Sequence, residues 1–320
     1  MTHQPVAAPL GAVDPAELAH TRAVLRRLEL DVTRRLDGIL HGDHRGLVPG
    51  HGSEPGEARE YQPGDDVRRI DWNVSARTNA IHLRDTVADR ELECWLCVDR
   101  SASLAFGTTD REKADVVLAA AAGVGVLTSR GGNRIGGLIV GSQGATVVPA
   151  RQGRAHLLGL LSSISRASSG DGPSSLSLGD AIRRLGGMTR RRGLVVVMSD
   201  FLDEPDQWRH QLAALGQRHQ VMCIEVVDPR ELELPDAGTL TVIDTETGRM
   251  RDVDTRSRKV RERYKAAASE QRRSIASAIR GAGAEHLVLR TDQDWVMTLA
   301  RFVMGRRRRM ANVSVGARRS

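Results

Sequence analysis

From Glu17 to Leu40, apolar residues recur at three-, four- and seven-residue steps: Leu18, Leu25, Leu28, Val32, Leu36 and Ile39, with Arg and Asp between them. This spacing predicts an amphipathic helix whose apolar stripe covers the domain that follows. After residue 90 the pattern changes. Short apolar runs read as strands: ELECWLCVD (91–99), RIGGLIVG (134–141), ATVVP (145–149), GLVVVMSD (193–200), QVMCIEVVD (220–228) and EHLVLRTD (285–292). Helical patterns fall between them, at 112–130, 154–166, 178–186, 206–218, 255–282 and 295–304. Ser142–Gly144 and Glu246–Gly248 are the turn signals of two hairpins. The run 193–200 is apolar without alternation, as in a parallel strand buried on both faces. Strand–helix alternation of this kind predicts an α/β fold built on a doubly wound, mostly parallel sheet, with an N-terminal helix and a small β-insert.

The rest of the chain divides around that core. Residues 1–44 are an arm and the amphipathic helix. Residues 41–60 (HGDHRGLVPGHGSEPGEARE) are rich in Gly, Pro, His and Asp and read as loop, and residues 45–89 as a whole read as a small β-insert. There Ile70 and Trp72 alternate with charged residues, which makes Trp72 an expected core anchor, and Arg68–Asp71 or Arg77–Asp71 expected ion pairs. Residues 90–303 are the α/β domain, and 304–320 an Arg-rich flexible tail. That tail changes the reading of charge. The 320 residues carry a net +7, yet residues 301–320 alone hold seven Arg and no acid. The basic balance therefore belongs to the tail, a candidate for anionic surfaces, and nothing selects nucleic acid as a partner. Only three of the 47 basic residues are Lys: Lys113, Lys259 and Lys265. No apolar run approaches the ~20 residues that cross a bilayer, and the N-terminus has no apolar signal region. Three Cys make no disulfide framework. A cytoplasmic protein is the expectation.

Candidate chemistry gathers at strand ends. Three predicted strands end in Asp: Asp99, Asp200 and Asp228. In open α/β sheets, ligands sit beyond the carboxyl ends of the strands, near the switch point in strand order. Asp99-Arg100-Ser101-Ala102-Ser103 leaves the first of these strands, and its alternate residues place one carboxylate and two hydroxyls on one side. Oxygen donors of this kind suit a hard cation, Mg²⁺, with Mn²⁺ as the alternative. Asp200 would hold a bound water at the same place. Other signals are weaker. Cys94 and Cys97 have redox spacing but, three apart on a strand, face opposite sides. His3, His20, His41, His44 and His51 show no paired ligand spacing with Cys. There is no P-loop, no Gly-x-Ser-x-Gly elbow and no His-Glu-x-x-His. Ser101 has no evident His partner beyond His82 and His156, and it stands where an aspartyl phosphotransferase would place a second acid.

The Asp99–Ser103 segment resembles the metal-ion-dependent adhesion site of von Willebrand factor A domains, as does the element order over about 90–303. Upstream, Tyr61, Gly64-Asp65, Arg68, Asp71-Trp72 and Ala76-Arg77 match the signature of the domain-of-unknown-function 58 family; the likeness covers roughly 45–303. The resemblance implies a von Willebrand factor A type of sheet and a non-enzymatic protein-interaction module. It further implies an adaptor or chaperone role beside a MoxR-type AAA+ ATPase and its client protein. It carries over Asp99, Ser101, Ser103 and Asp200 as metal-site residues. The family's usual Thr is missing: the matching loop reads Gly172-Pro173-Ser174-Ser175-Leu176, and Ser175 or Ser174 takes its place. Two other classes stand beside this one, a metal-dependent hydrolase using the same oxygen cluster and an anionic-surface binder led by the Arg tail.

Overall fold

The computed structural model describes residues 15–40, 58–61, 70, 72–78, 80–84, 92–129, 132–167, 176–243 and 250–317. In chain order its elements are α1 (Pro15–Leu40), β1 (Ala58–Glu60), α2 (Trp72–Thr78), β2 (His82–Arg84), β3 (Glu93–Arg100), α3 (Lys113–Ser129), β4 (Arg134–Gly141) and β5 (Gly144–Arg151). They continue with α4 (Arg154–Arg166), α5 (Leu178–Met188), β6 (Gly193–Ser199), α6 (Pro205–Gly216), β7 (Gln220–Val227) and the single turn α7 (Pro229–Leu232). The hairpin β8 (Thr239–Ile243) and β9 (Met250–Asp254), then α8 (Arg258–Gly281), β10 (Glu285–Arg290) and α9 (Trp295–Ala317) complete them.

The central sheet has six strands in the order β10-β7-β6-β3-β4-β5, parallel except for β5, which returns from β4 through a two-residue turn. Alternation along each strand makes two cores. On one face Cys94, Leu96, Val98, Val196 and Ile224 pack with α1, α3, α4 and α9; on the other Trp95, Cys97, Val197 and Cys223 pack with α5, α6 and α8. Cys94 and Cys97 therefore lie on opposite faces, as their spacing requires, and both are buried free thiols. The α3 helix is apolar nearly all round because it is buried nearly all round. The stripe of α1 is seated by Leu25, Val32 and Leu36, all at most 2% exposed, each worth roughly 1.5–3 kcal/mol. A bidentate Arg154–Glu29 pair ties α1 to α4.

Three expectations need correction or restriction. Trp72 is not a core anchor: it opens α2 and is 70% exposed, because the chain at this point is helical and not a strand facing the core. The β-insert contributes one antiparallel pair, β1 with β2. The expected pairs of Asp71 with Arg68 or Arg77 lie outside the described residues. The tail does not begin at 304. The α9 helix runs on to Ala317, and Arg306 is buried, held by Gln220 at 2.7 Å and by Glu285. Among the described residues no helix is long and apolar enough to cross a membrane.

Candidate metal centre

The strand order places the site. Counting from β3, the sheet reads outward from β3 to β4 and β5 on one side and to β6, β7 and β10 on the other, so the order reverses between β3 and β6. Chains leaving these two neighbours diverge and open a crevice at their carboxyl ends. The β3 strand brings Asp99 there, and β6 brings Ser199 and Asp200.

Local hydrogen bonding then shapes the Asp-x-Ser-x-Ser turn. The Ser101 N–H donates to Asp99 Oδ1 at 2.8 Å, closing a tight turn at the strand end. A short 3₁₀ turn over Ala102–Leu104 follows, which brings the Ser101 and Ser103 hydroxyls to 3.0 Å from one another. From β6, Ser199 Oγ donates to Asp99 Oδ2 at 2.7 Å and accepts the Phe201 N–H at 3.1 Å. Phe201 has φ 54°, a left-handed conformation uncommon for a bulky residue. Its ring is fully buried edge-on to Trp208, at 5.3 Å between centroids, and this packing holds the turn that exposes Asp200 to the crevice.

The result is a pocket of about 190 Å³ lined by Asp99, Ser101, Ser103, Ser177, Ser199 and Asp200. Burial, and then repulsion from Asp200, push the Asp99 carboxyl from 3.8 up to about 6, against the hydrogen bonds from Ser199 and Ser101. The structure thus brings together four of the five expected ligands. Ser175, like Ser174, lies outside the described residues; the chain re-enters description at Leu176, on the pocket wall. The four expected ligands all offer hard oxygens; Asp203 adds a third carboxylate residue to the lining, and Cys97 lies at its buried floor. This set fits Mg²⁺ or Mn²⁺. Among the described residues no group of three or more His, Cys, Asp or Glu is placed to hold a metal, so a cation here depends on the serine hydroxyls.

Asp228, the third strand-end acid, is used otherwise. Its carboxylate accepts the Thr108 N–H and hydroxyl, the Arg230 N–H and the Thr291 hydroxyl, at 2.6–2.9 Å, and it closes a capping box with Glu231 at the start of α7. Burial pushes its pKa up, but these donors outweigh burial and hold it below its ordinary value. Thr108 also pins the loop between β3 and α3. In that loop a Cβ on Gly107 would collide with the Arg111 carbonyl and lie 2.6 Å from Glu112 Cα, so only glycine fits.

The residue that sequence reasoning passed over is Lys113. It is fully buried at the start of α3, and its ammonium reaches Asp200 Oδ2 at 2.7 Å and Glu231 Oε1. Its signal was composition: one of only three lysines stands just before an apolar helix. The histidines considered as partners for Ser101 are elsewhere. His156 bonds to the Ile135 carbonyl at the far end of β4, and His82 belongs to β2.

The model of the family "Protein of unknown function DUF58" matches residues 57–274. The chain belongs to this family. Uncharacterized protein Rv1480 of Mycobacterium tuberculosis is 50% identical over 302 residues, 93% of this chain and 92% of that one. Uncharacterized protein MAV169 of Mycobacterium avium is 43% identical over 166 residues, 51% of this chain and 95% of that one. Among solved structures, an aerotolerance-related membrane protein from Bacteroides fragilis aligns with 67% of this DUF58 chain and 97% of its own, at TM-score 0.44 and 11% identity. The SpRpn10 VWA domain aligns with 65% of the chain and 93% of its own, at TM-score 0.37 and 12% identity. At these identities the likeness is one of fold alone.

Proposed function

We propose that this DUF58 protein is a non-enzymatic interaction module that grips an acidic group of a partner protein through a divalent cation, Mg²⁺ or Mn²⁺. Asp99, Ser101 and Ser103 would hold the cation, with Asp200 as the acid at its rim and Ser175 or Ser174 as a further hydroxyl. When bound, the cation supplies an electrophilic point to which a partner's carboxylate can add. Asp99 sets the floor of the site, and Ser199 orients it from the neighbouring strand. The observation that carries this reading is the convergence of two serine hydroxyls and two carboxylates on one pocket at the switch point.

The partner we infer is a MoxR-type AAA+ ATPase, for which the chain would serve as adaptor toward a client protein. The test is capture of a purified MoxR-type ATPase by the full chain, in Mg²⁺ and in EDTA, with wild type and Ser101→Ala. Capture lost in EDTA and in the variant supports the reading. Equal capture in all arms removes the cation from the mechanism, and no capture in any arm removes the ATPase.

A further inference from the structure

Behind the pocket lies a chain of charges that the cation site does not itself require. Lys113 is wholly inaccessible, with its Nζ on Asp200 and Glu231 and 5.9 Å from the centre of the Phe106 ring. Its own N–H is bonded to the Phe106 carbonyl at 2.9 Å, so the loop carrying Ser101 and Ser103 closes on it. Glu231 also meets Arg272, at 3.4 Å. Arg272 donates to the Asp200 carbonyl oxygen at 3.0 Å and to Glu225 at 2.8 Å, and Glu225 meets His286 at 2.6 Å. Both partners of the Lys113 ammonium are carboxylates, so the buried cation is paired on two sides. Burying an ammonium is expensive, and a methionine of similar length would suit the fold's apolar needs better. The position of this charge therefore calls for a reason at the site it touches.

We propose that Lys113 is the resident counter-ion of the pocket: it neutralises Asp200 from inside the core, so a divalent cation binds weakly alone and tightly only when a partner's carboxylate joins the shell. This rests on the cation reading above and adds to it. The ammonium, shared with Glu231, offsets part of the negative charge that Asp99, Asp200 and Asp203 bring to the pocket. A partner's carboxylate then supplies the anionic ligand that the paired Asp200 no longer offers in full. Lys113 is not itself a donor to the cation; it is a positioning residue that acts through its ion pair with Asp200.

The experiment is titration of the full chain with Mn²⁺, followed by electron paramagnetic resonance of the free ion, in chloride and in acetate as the carboxylate probe. Wild type should bind Mn²⁺ weakly in chloride and more tightly in acetate. Lys113→Met should bind about tenfold more tightly in chloride, with a smaller acetate effect. Lys113→Arg, which keeps the charge, should behave as wild type. Glu231→Gln removes one of the two acids sharing the ammonium, leaves more positive charge on Asp200, and should bind severalfold more weakly. The opposite signs of the two variants separate this role from simple loss of structure, which would weaken both. Should Lys113→Met fail to fold by circular dichroism, Glu231→Gln decides, and unchanged or tighter binding there overturns the proposal. If wild type takes Mn²⁺ in a Ser101-dependent way and a folded Lys113→Met binds it no better, the Lys113 role falls while the site stands. If no variant takes Mn²⁺ through Ser101, the site falls with it.

Discussion

The carboxyl ends of β3 and β7 look alike in sequence: each is a buried apolar run ending in Asp. In the folded chain they are opposites. Asp228 is surrounded by four donors that hold its carboxylate ionised, whereas Asp99 opens on a pocket where burial, and then a second carboxylate, drive its pKa up to about 6. One acid fastens the loop before α3 and the start of α7; the other has capacity left for a ligand. A strand-end carboxylate becomes a site only where the surrounding donors fall short of satisfying it.

Substitution should break the two ends differently. The largest effect is expected for Asp228→Ala, which strands the Thr108, Arg230 and Thr291 donors; denaturant unfolding should show a loss of about 3 kcal/mol. Asp99→Ala, measured the same way in EDTA, should change stability by less than about 1 kcal/mol while abolishing Mn²⁺ binding. Equal destabilisation by the two would erase the distinction. Smaller still, Thr108→Val should cost about 1 kcal/mol and leave Mn²⁺ binding unchanged, whereas Ser103→Ala should cost a similar amount and weaken it.

Acidity sharpens the same contrast, with opposite signs. The folded pKa of Asp228 lies below its unfolded value. Its contribution is present above the unfolded value and is lost as pH falls through the folded one. Asp99 is raised from 3.8 to about 6. In that window it keeps a proton when folded that the unfolded chain has released, so its contribution is greatest at low pH and is lost as pH rises through about 6. Stability curves in EDTA should therefore lose their acid-side drop in part with Asp228→Asn and their decline toward pH 6 in part with Asp99→Asn. No change of slope in either variant would contradict these assignments.

Much of this was legible in the chain before folding. Strand and helix periodicity placed the sheet, because runs such as 193–198 have no polar residue to hide. The Asp99–Ser103 spacing named the hydroxyls, and the helical pattern at 295–304 placed α9, where Asp294 accepts the Val296 and Met297 N–H groups. What periodicity could not give was which strand-end acid is satisfied. That depends on Thr108 and Thr291, which are distant from Asp228 in sequence. Lys113 was hidden for the same reason: its partners Asp200 and Glu231 are 87 and 118 residues away. Trp72 misled because alternation over a few residues does not distinguish a strand from the first turn of a helix. The start of α6 was also displaced. Pro205, one residue before the expected start at 206, opens the helix with Glu204 before it.

The most direct test is a crystal of the full chain soaked in Mn²⁺ and read by anomalous scattering. The account predicts one strong peak in the pocket between β3 and β6, about 2.1–2.2 Å from the Ser101 and Ser103 hydroxyl oxygens. A peak only elsewhere, or an ordered pocket with both hydroxyls in place and no peak, would contradict it.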